Sequence, residues 1–193
     1  MIEQKIIQSI NETYSPLTEE CIQELLTSAK ISTLKKESTL VREGQYSNKT
    51  YYIINGCARA YYLQDGKDIS DWFAFENEFI SSIVSFFTGA PSPHYIELLE
   101  DSVLLEINRD HVNYLSHKYH DFERLIRVIV TKTMLRQQER IASIQFQRAE
   151  QRYENILAMY PKITQRVPLT HISSYLGITL ETLSRIRNPR RSI

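Results

Sequence analysis

Apolar residues change their spacing along the chain, and each change marks a different kind of element. In "LTEECIQELLTSAKIS" they recur every three or four residues, which predicts a short opening helix that Thr18 can cap. From about residue 34 to residue 108 the chain breaks into short runs rich in Tyr, Ile, Val and Phe, separated by turn signals. Asn55-Gly56 and Asp65-Gly66 are pairs typical of tight hairpins. This region predicts a compact antiparallel β region whose strands form a roll or a barrel.

The longest periodic stretch follows the roll. The segment "DFERLIRVIVTKTMLRQQERIASIQFQ" is apolar on one side and polar on the other, and it predicts a helix of about 25 residues. Such a helix has more apolar surface than its own β domain covers, so we expect it to pair with a second copy of the chain. The alternative is a helix that lies only on its own domain. The residues expected at the dimer seam are Phe122, Leu125, Ile129 and Leu135.

The C-terminal stretch "VPLTHISSYLGITLETLSRIRN" predicts a helix, a sharp turn at Gly177 and a second helix that Thr179 can cap. The second helix leaves polar residues on its outer side. Arg, Glu and Ser are side chains that bind base edges or phosphates in DNA. His171 is expected to face a DNA phosphate or solvent, and a helix pair with no DNA function is the alternative. The predicted DNA-binding residues are Thr170, Thr179, Glu181, Thr182, Ser184, Arg185 and Arg187.

The distribution of charge divides the chain into two parts, although its net charge is zero. From Arg140 to Ile193 there are nine basic and three acidic residues, whereas the first 139 residues hold 14 basic and 20 acidic ones. A basic C-terminal part is typical of binding to a polyanion, but a solvated charged surface would give the same count. We predict a sensor domain at residues 1–140, with its dimerisation helix at about 112–140, and a helix-turn-helix domain at residues 141–193.

Composition argues against several other classes of protein. Cys21 and Cys57 stand far apart and outside any metal-binding spacing, so we expect no disulfide, zinc or iron–sulfur site and a reducing, cytoplasmic setting. The chain shows no leader pattern and no apolar run of bilayer-spanning length, so we expect no membrane association. Neither a His-x-His metal pattern nor a set of nucleophile, base and orienting group can be placed on the roll. We therefore expect no catalytic residue, metal or cofactor.

These features together resemble the Crp/Fnr transcription regulators, nearly from end to end. That family combines a cyclic-nucleotide-type β-roll, a long dimerisation helix and a C-terminal winged helix-turn-helix. "LVREGQYSNKTYYIINGCARAYYLQDGKDI" is similar to the family's glycine-punctuated strands, and "LETLSR" is similar to the E-x-x-S-R sequence of the Fnr branch. The resemblance implies an α+β fold, a homodimer that binds an inverted repeat in double-stranded DNA, and base-reading roles for Glu181, Ser184 and Arg185. It places the wing in residues 163–167.

The resemblance also identifies a departure in the roll. Cyclic-AMP binders of the family hold the cyclic phosphate with a Gly-Glu pair and a later Arg-Ser pair, but this chain has Ser81-Ser82 and Ser92-Pro93 at the matching positions. A buried phosphate without a cation is costly, so we expect that cyclic AMP does not bind. Arg59 or His94 is the candidate replacement cation. The expected ligand pocket consists of Arg59, Ser81, Ser82, His94, Gln137 and Gln138.

The sequence thus predicts a dimeric, sequence-specific DNA-binding regulator that responds to a ligand other than cyclic AMP, or to none. Activation of transcription would need a surface for RNA polymerase, and no residue pattern marks one. The alternative is a cyclic-nucleotide-domain-like module that regulates a partner protein without binding DNA. Salt-dependent binding to duplex DNA separates these two functions.

Overall fold

The computed structural model describes residues 2–188. The strands in this range are Lys30–Leu34 (β1), Thr39–Val41 (β2), Lys49–Asn55 (β3), Ala58–Gln64 (β4), Lys67–Ala74 (β5), Phe79–Ser81 (β6), Tyr95–Leu98 (β7) and Ser102–Asn108 (β8). The helices are Ile2–Thr13 (α1), Glu19–Ser28 (α2), Ile83–Thr88 (α3), Arg109–Lys118 (α4), His120–Phe146 (α5), Ala149–Met159 (α6), Ile163–Arg166 (α7), Leu169–Tyr175 (α8) and Leu180–Arg187 (α9).

The strands form two antiparallel sheets that face each other. The first sheet has the order β1-β8-β3-β6 and the second has the order β2-β7-β4-β5. Alternate side chains of both sheets meet in a buried core that includes Ile53, Ala60 and Leu104. Asp65-Gly66 forms the predicted hairpin between β4 and β5, with positive φ at both residues. Asn55-Gly56 instead carries the chain from the first sheet to the second.

The outer face of the first sheet is covered by helices. Buried residues of α1, α2, α4 and the start of α5 pack there against Tyr52, Leu105 and Ile107. The helix predicted first along the chain is α2, and α1 precedes it. In α1 the residues Ile6 and Ile10 lie one helical turn apart and are both buried, which is the usual pattern of an amphipathic helix. The sequence-based prediction of a single opening helix was therefore wrong.

The outer face of the second sheet is covered by the C-terminal helices. Phe73, Phe75, Cys57 and Leu99 of the roll share one buried cluster with residues of α6, α7, α8 and α9. The aromatic ring of Phe75 packs on Tyr160, with ring centroids 4.5 Å apart. The roll and the C-terminal helices therefore share a hydrophobic core.

The predicted α+β class, with an antiparallel roll, a long helix and further C-terminal helices, is confirmed. Two details differ. The segment predicted as one dimerisation helix from about residue 112 is split at Tyr119 into α4 and α5, and α5 continues past the predicted boundary at residue 140 to Phe146. The predicted wing at residues 163–167 is instead mostly the short helix α7, and residues 149–188 contain no strand. Between residues 2 and 188, no helix has the length and apolar character needed to cross a membrane.

Candidate functional site

The C-terminal helix pair consists of α8 and α9, and backbone hydrogen bonds fix the turn between them. Gly177 has a φ of +66°, which places it in the left-handed region that glycine favours. The N–H of Ile178 donates to the carbonyl of Ser173, and the N–H of Gly177 donates to that of Ser174. This bond pattern ends α8 and redirects the chain into α9. Thr179 caps α9, since its hydroxyl oxygen accepts from the Thr182 N–H at 3.2 Å.

The helix α9 buries one side and exposes the other. Leu183 is fully buried in the cluster below the helix, whereas Glu181, Ser184, Arg185 and Arg187 are exposed. Thr170 at the start of α8 and Thr179 are also exposed, and Thr182 is half-buried. Hydrogen bonds from its own backbone N–H and from Thr179 lower the pKa of Glu181, so at neutral pH its carboxylate accepts hydrogen bonds only. The predicted DNA-binding residues therefore lie on two neighbouring helices, facing solvent or close to it.

Part of the basic charge of the C-terminal region is neutralised by the roll. The guanidinium of Arg166 donates to both carboxylate oxygens of Glu76 at 2.7 Å, and it contacts Glu100 at 2.6 Å. These hydrogen bonds, those with Glu100 and then Glu76 above all, raise the pKa of Arg166. Arg140 pairs with Asp71 at 3.3 Å. Part of the charge difference between the two parts of the sequence is thus balanced by ion pairs within the chain. Arg190 and Arg191 lie outside the described residues.

Arg59 joins the roll to α8. Its guanidinium donates to Asp68 at 2.6 and 2.8 Å and to Glu97 at 2.6 and 3.0 Å, and its Nη1 lies 2.8 Å from Nδ1 of His171. The side chain is only 2% exposed. The neighbouring residues Ala58 and Ala60 face the core between the sheets, so Arg59 faces the opposite way, towards the C-terminal helices.

This geometry corrects two expectations. Arg59 is not available as a cation for a ligand inside the roll, because it lies on the outer face of the second sheet and is saturated by two carboxylates. His171 is half-buried against Arg59, rather than directed at solvent or DNA. Nearby, the hydroxyl of Ser174 donates to the carbonyl of Asp68 and accepts from the N–H of Ser70, which adds two further bonds between α8 and β5.

A group of polar residues lies inside the roll at the position where the resemblance places a phosphate. The Ser82 hydroxyl donates to Ser92 at 2.8 Å, and the Ser92 hydroxyl donates to the carbonyl of His94 at 2.7 Å. His94 is buried, and neither ring nitrogen has a hydrogen-bond partner among the described residues. Burial lowers the pKa of His94 despite the opposing charge of Asp71, so its ring is neutral at neutral pH. Neither His94 nor Arg59 supplies a cation at this position.

A separate apolar cavity of about 230 Å³ lies between the first sheet, α3 and α5. Ser81 and Gln137 both line it, so two of the six predicted pocket residues meet in this cavity, whereas Ser82 and His94 belong to the polar group described above. Ser82, His94 and Arg59 lie outside its lining, and Gln138 is exposed on α5. The Ser81 and Ser82 side chains therefore belong to different sites, as expected for adjacent residues on either side of a strand end.

The exposed face of α5 differs from the predicted seam. Phe122 and Leu125 are buried in the core of their own chain, and Ile129 packs against the same cluster. Leu135 is 53% exposed. A stripe at alternating spacings of four and three residues consists of Val130, Met134, Gln137, Ile141 and Ile144. All but the half-buried Gln137 are exposed, and the first three also line the apolar cavity. The roll therefore covers much of the face that the sequence pattern favoured, and the exposed apolar residues of α5 lie mainly on this neighbouring face.

Comparison with known proteins identifies the domain. A sequence profile of the cyclic nucleotide-binding domain matches residues 31–119. Residues 31–119 have the cyclic nucleotide-binding fold. A search of curated proteins finds no match to this sequence.

Solved structures extend the likeness beyond that domain. FixK2 from Bradyrhizobium japonicum is 17% identical, with a TM-score of 0.73 and 82% of each chain covered. The c-di-GMP responsive global regulator CLP of Xanthomonas campestris is 17% identical, with a TM-score of 0.69, and 88% of this chain and 89% of that chain are covered. The sensor domain of the transcriptional regulator DNR from Pseudomonas aeruginosa is 23% identical, with a TM-score of 0.56 over 73% of this chain and 92% of that one. At these identities the likeness establishes the fold.

Sequence reasoning missed the contacts that attach the C-terminal helices to the cyclic nucleotide-binding domain. From the sequence, Asp68 and Glu97 contribute only to the acidic charge of the first 139 residues, and Arg166 only to the basic charge of the C-terminal part. The opposite charges of the two regions were the available signal, since complementary surfaces within one chain can bind each other as readily as an external partner. Trp72 lines the apolar cavity, but nothing in the sequence indicates this beyond its place in a strand-like run.

Proposed function

We propose that the protein is a dimeric, sequence-specific DNA-binding transcription regulator, and that α8 and α9 are its helix-turn-helix. The observation that carries this proposal is the exposed polar face of α9, with Glu181, Ser184 and Arg185 side by side above a buried Leu183. In this arrangement the N-terminal part of α9 enters the major groove. Arg185 donates two hydrogen bonds to a guanine, while Glu181 and Ser184 contact neighbouring bases.

The turn geometry supports the proposal independently of the exposed side chains of α9. A recognition helix must be held rigidly at its N-terminus, because a base contact depends on distances that vary by tenths of an ångström. Here the Gly177 turn and the Thr179 cap fix the start of α9, and the cluster containing Ile172, Leu176 and Leu183 fixes its tilt. Two of the solved structures of similar fold are described as regulators, which agrees with this role.

Dimerisation follows from the stripe on α5. Val130, Met134, Ile141 and Ile144 are between 43% and 61% exposed, which is unusual for four apolar residues in register on one helix. A second copy of α5 packed along this stripe removes them from water in a two-stranded coiled coil. The two-fold axis then relates two α9 helices, so the target is an inverted repeat whose half-sites are about 10 bp apart.

The effector, in this proposal, is a molecule other than cyclic AMP. Ser82 and Ser92, at the position expected for the phosphate, form a hydrogen bond with each other, and the ring of His94 beside them is neutral. A cyclic phosphate placed there would lose its hydration without gaining a cation. Calorimetry with cyclic AMP should give no saturable heat at micromolar concentration.

The direct test is selection of bound duplexes from a random DNA pool by the purified full-length chain. The recovered site is then labelled, and its affinity is measured by fluorescence anisotropy over a series of salt concentrations. An inverted repeat with a steep salt dependence supports the proposal. Recovery of unselected sequences, or an affinity equal to that for a scrambled duplex, would favour the protein-interaction module instead.

A further inference from the structure

The helix α8 is bonded to the second sheet at two positions on one of its faces. His171 and Ser174 lie three residues apart, and both side chains point towards the roll. Ser174 bonds to the backbone of β5, whereas His171 contacts the side chain of Arg59 on β4. Neither a serine hydroxyl nor a backbone group titrates near neutral pH, but a histidine does. The two attachments therefore respond differently to acid.

Charged groups from several elements surround His171. They are Arg59 of β4, Asp68 of β5 and Glu97 of β7, together with Lys36 and Glu37 of the β1–β2 turn and Arg166 of α7, which line the cleft beside it. The group in direct contact is the guanidinium of Arg59, which has donors only. Asp68 and Glu97 are bonded to that guanidinium and balance its charge. A proton on Nδ1 of His171 would face another donor, so the bond between the two side chains would be lost.

The surroundings favour the neutral ring. Burial, and then the charge of Arg59, lower the pKa of His171 against the opposing charges of Asp68 and Glu97. The bond is therefore complete above the ordinary histidine pKa of about 6.5, and it is lost as the pH falls through the lowered value. Glu181 on α9 also has a lowered pKa, so its carboxylate stays ionised over the same range.

The start of α8 lies beside residues predicted to contact DNA. Thr170 directly precedes His171 and is exposed. The turn at Gly177 and the buried contacts of Ile172 and Leu183 join α8 to α9, so the two helices move together. In a dimer, two such helix pairs must meet half-sites about one helical turn apart, which restricts how each pair lies on its own chain. The attachment at His171 therefore affects where α9 meets the duplex.

We propose that His171 is a positioning residue for DNA recognition. Its neutral ring holds the start of α8 against Arg59, and protonation frees this end of α8, so binding to the specific site weakens in acid. This rests on the proposed regulator function. Ser174, the ion pairs of Arg166 and the shared hydrophobic cluster remain when His171 is protonated. The helices therefore stay attached, and affinity for unrelated DNA, which depends on phosphate contacts, should not fall.

The experiment compares two duplexes at two pH values. Fluorescence anisotropy at constant ionic strength gives the affinity of the full-length protein for the selected duplex and for a scrambled one, at pH 7.5 and at pH 5.0. The other histidines gain charge in acid and strengthen binding to both duplexes, so the ratio of the two affinities isolates recognition. We expect this ratio to fall about three- to ten-fold at pH 5.0, with circular dichroism showing a folded protein at both values.

Variants assign the effect to His171. His171→Gln keeps a neutral acceptor at both pH values, so its ratio should match the wild type at pH 7.5 within about two-fold and should not fall at pH 5.0. His171→Ala has no acceptor, so its ratio should already be low at pH 7.5 and should change little in acid. His120→Gln is the matched control, because His120 is 91% exposed on α5, and it should keep the wild-type fall.

Two results would overturn the proposal. One is a wild-type affinity ratio that is equal at pH 7.5 and pH 5.0. The other is a fall in His171→Gln as large as in the wild type, because another group would then be responsible. A wild-type protein with no preference for the selected duplex at pH 7.5 would instead refute the regulator function itself, and this outcome is recognised at neutral pH before any acid is added.

Discussion

Nη1 of Arg59 lies 2.8 Å from Nδ1 of His171, and this contact joins β4 of the cyclic nucleotide-binding domain to α8. Arginine can only donate hydrogen bonds, so Nδ1 of His171 accepts and the ring is neutral. Asp68 and Glu97 hold the other guanidinium nitrogens in place. This contact therefore requires a neutral His171, and it adds to the hydrophobic cluster and the Arg166 ion pairs that also attach the C-terminal helices.

This contact predicts that docking of α8 weakens at acidic pH. Burial, and then the charge of Arg59, lower the pKa of His171, although Asp68 and Glu97 act in the opposite direction. A histidine with a lowered pKa stabilises the docked state above its ordinary value of about 6.5, and this stabilisation is lost as the pH falls towards the lowered pKa. Hydrogen exchange of the α8 amides should accelerate as the pH is lowered from about 7 to 5, after correction for intrinsic rates.

The control for this prediction separates His171 from the other histidines. His171→Gln keeps a neutral acceptor near Arg59, and it should remove most of the pH dependence of exchange in α8. His120→Gln changes a fully solvated side chain on α5 and should leave that dependence intact. The lowered pKa of buried His94 adds a pH dependence of its own to global stability, so the local measurement on α8 is decisive. An α8 exchange profile that is equally pH-dependent in His171→Gln would contradict the assignment.

The second prediction concerns the ion pairs of Arg166. Its side chain is 23% exposed, and it lies between Glu76 and Glu100, which are 31% and 29% exposed. Arg166→Ala leaves two carboxylates close together without their cation, so we expect a loss of about 1–3 kcal/mol in the free energy of unfolding, with partial solvent screening included. Urea denaturation measures this loss. Arg166→Lys keeps the charge but not the paired geometry, so its loss of unfolding free energy should be smaller. A loss below about 0.5 kcal/mol for Arg166→Ala would show that the ion pairs are mainly solvated.

The roll, the long helix and the C-terminal helix pair could be predicted because each depends on local periodicity and turn chemistry. The Asp65-Gly66 hairpin and the Gly177 turn are examples, since each requires a backbone conformation that glycine supplies. The positions of Arg59 and His171 could not be predicted, because they depend on how α8 packs against β5 over a separation of more than a hundred residues in the chain. The burial of Phe122 and Leu125 in their own chain could not be predicted for a related reason: periodicity identifies apolar faces of α5 but not which face its own core covers.

The third prediction tests the proposed seam. Ile141 lies on the exposed stripe of α5, so Ile141→Glu should place a charge in the interface and shift the protein towards monomer. Leu135 is equally exposed but lies off the stripe, so Leu135→Glu should leave the dimer intact. Light scattering at several protein concentrations measures both. If Leu135→Glu gave monomers and Ile141→Glu remained a dimer, the seam would instead lie on the face that includes Leu135, as the sequence predicts.

The fourth prediction concerns the corner at which the chain passes between the sheets. A Cβ on Gly56 would lie 2.1 Å from Oγ of Ser102 and 2.9 Å from its backbone Cα, and φ is +110°. Gly56→Ala should therefore cost about 2–4 kcal/mol of stability, since both steric overlap and backbone strain oppose it. Gly177→Ala meets no atom within 4 Å and should cost only about 1 kcal/mol through its positive φ. If thermal unfolding showed equal losses of stability for Gly56→Ala and Gly177→Ala, the backbone around Gly56 would be able to shift and remove the overlap.

The last prediction tests base recognition by α9. Arg185 is exposed on this helix, and the proposed function makes it a bidentate donor to guanine. Arg185→Ala should weaken binding to the selected duplex by about 1–3 kcal/mol per half-site and relax the preference at one base pair. Arg185→Lys keeps the positive charge without the planar fork, so it should lose the same base preference while keeping more of the affinity for unrelated DNA.

The matched control is Lys5→Ala, because Lys5 is exposed on α1, which packs on the first sheet, away from α9. It should leave both affinity and base preference unchanged. The measurement is anisotropy on the selected duplex and on variants with each base pair of one half-site replaced. An Arg185→Ala protein with the wild-type pattern of base preference would mean that α9 does not read the bases, and that any DNA binding depends on phosphate contacts elsewhere.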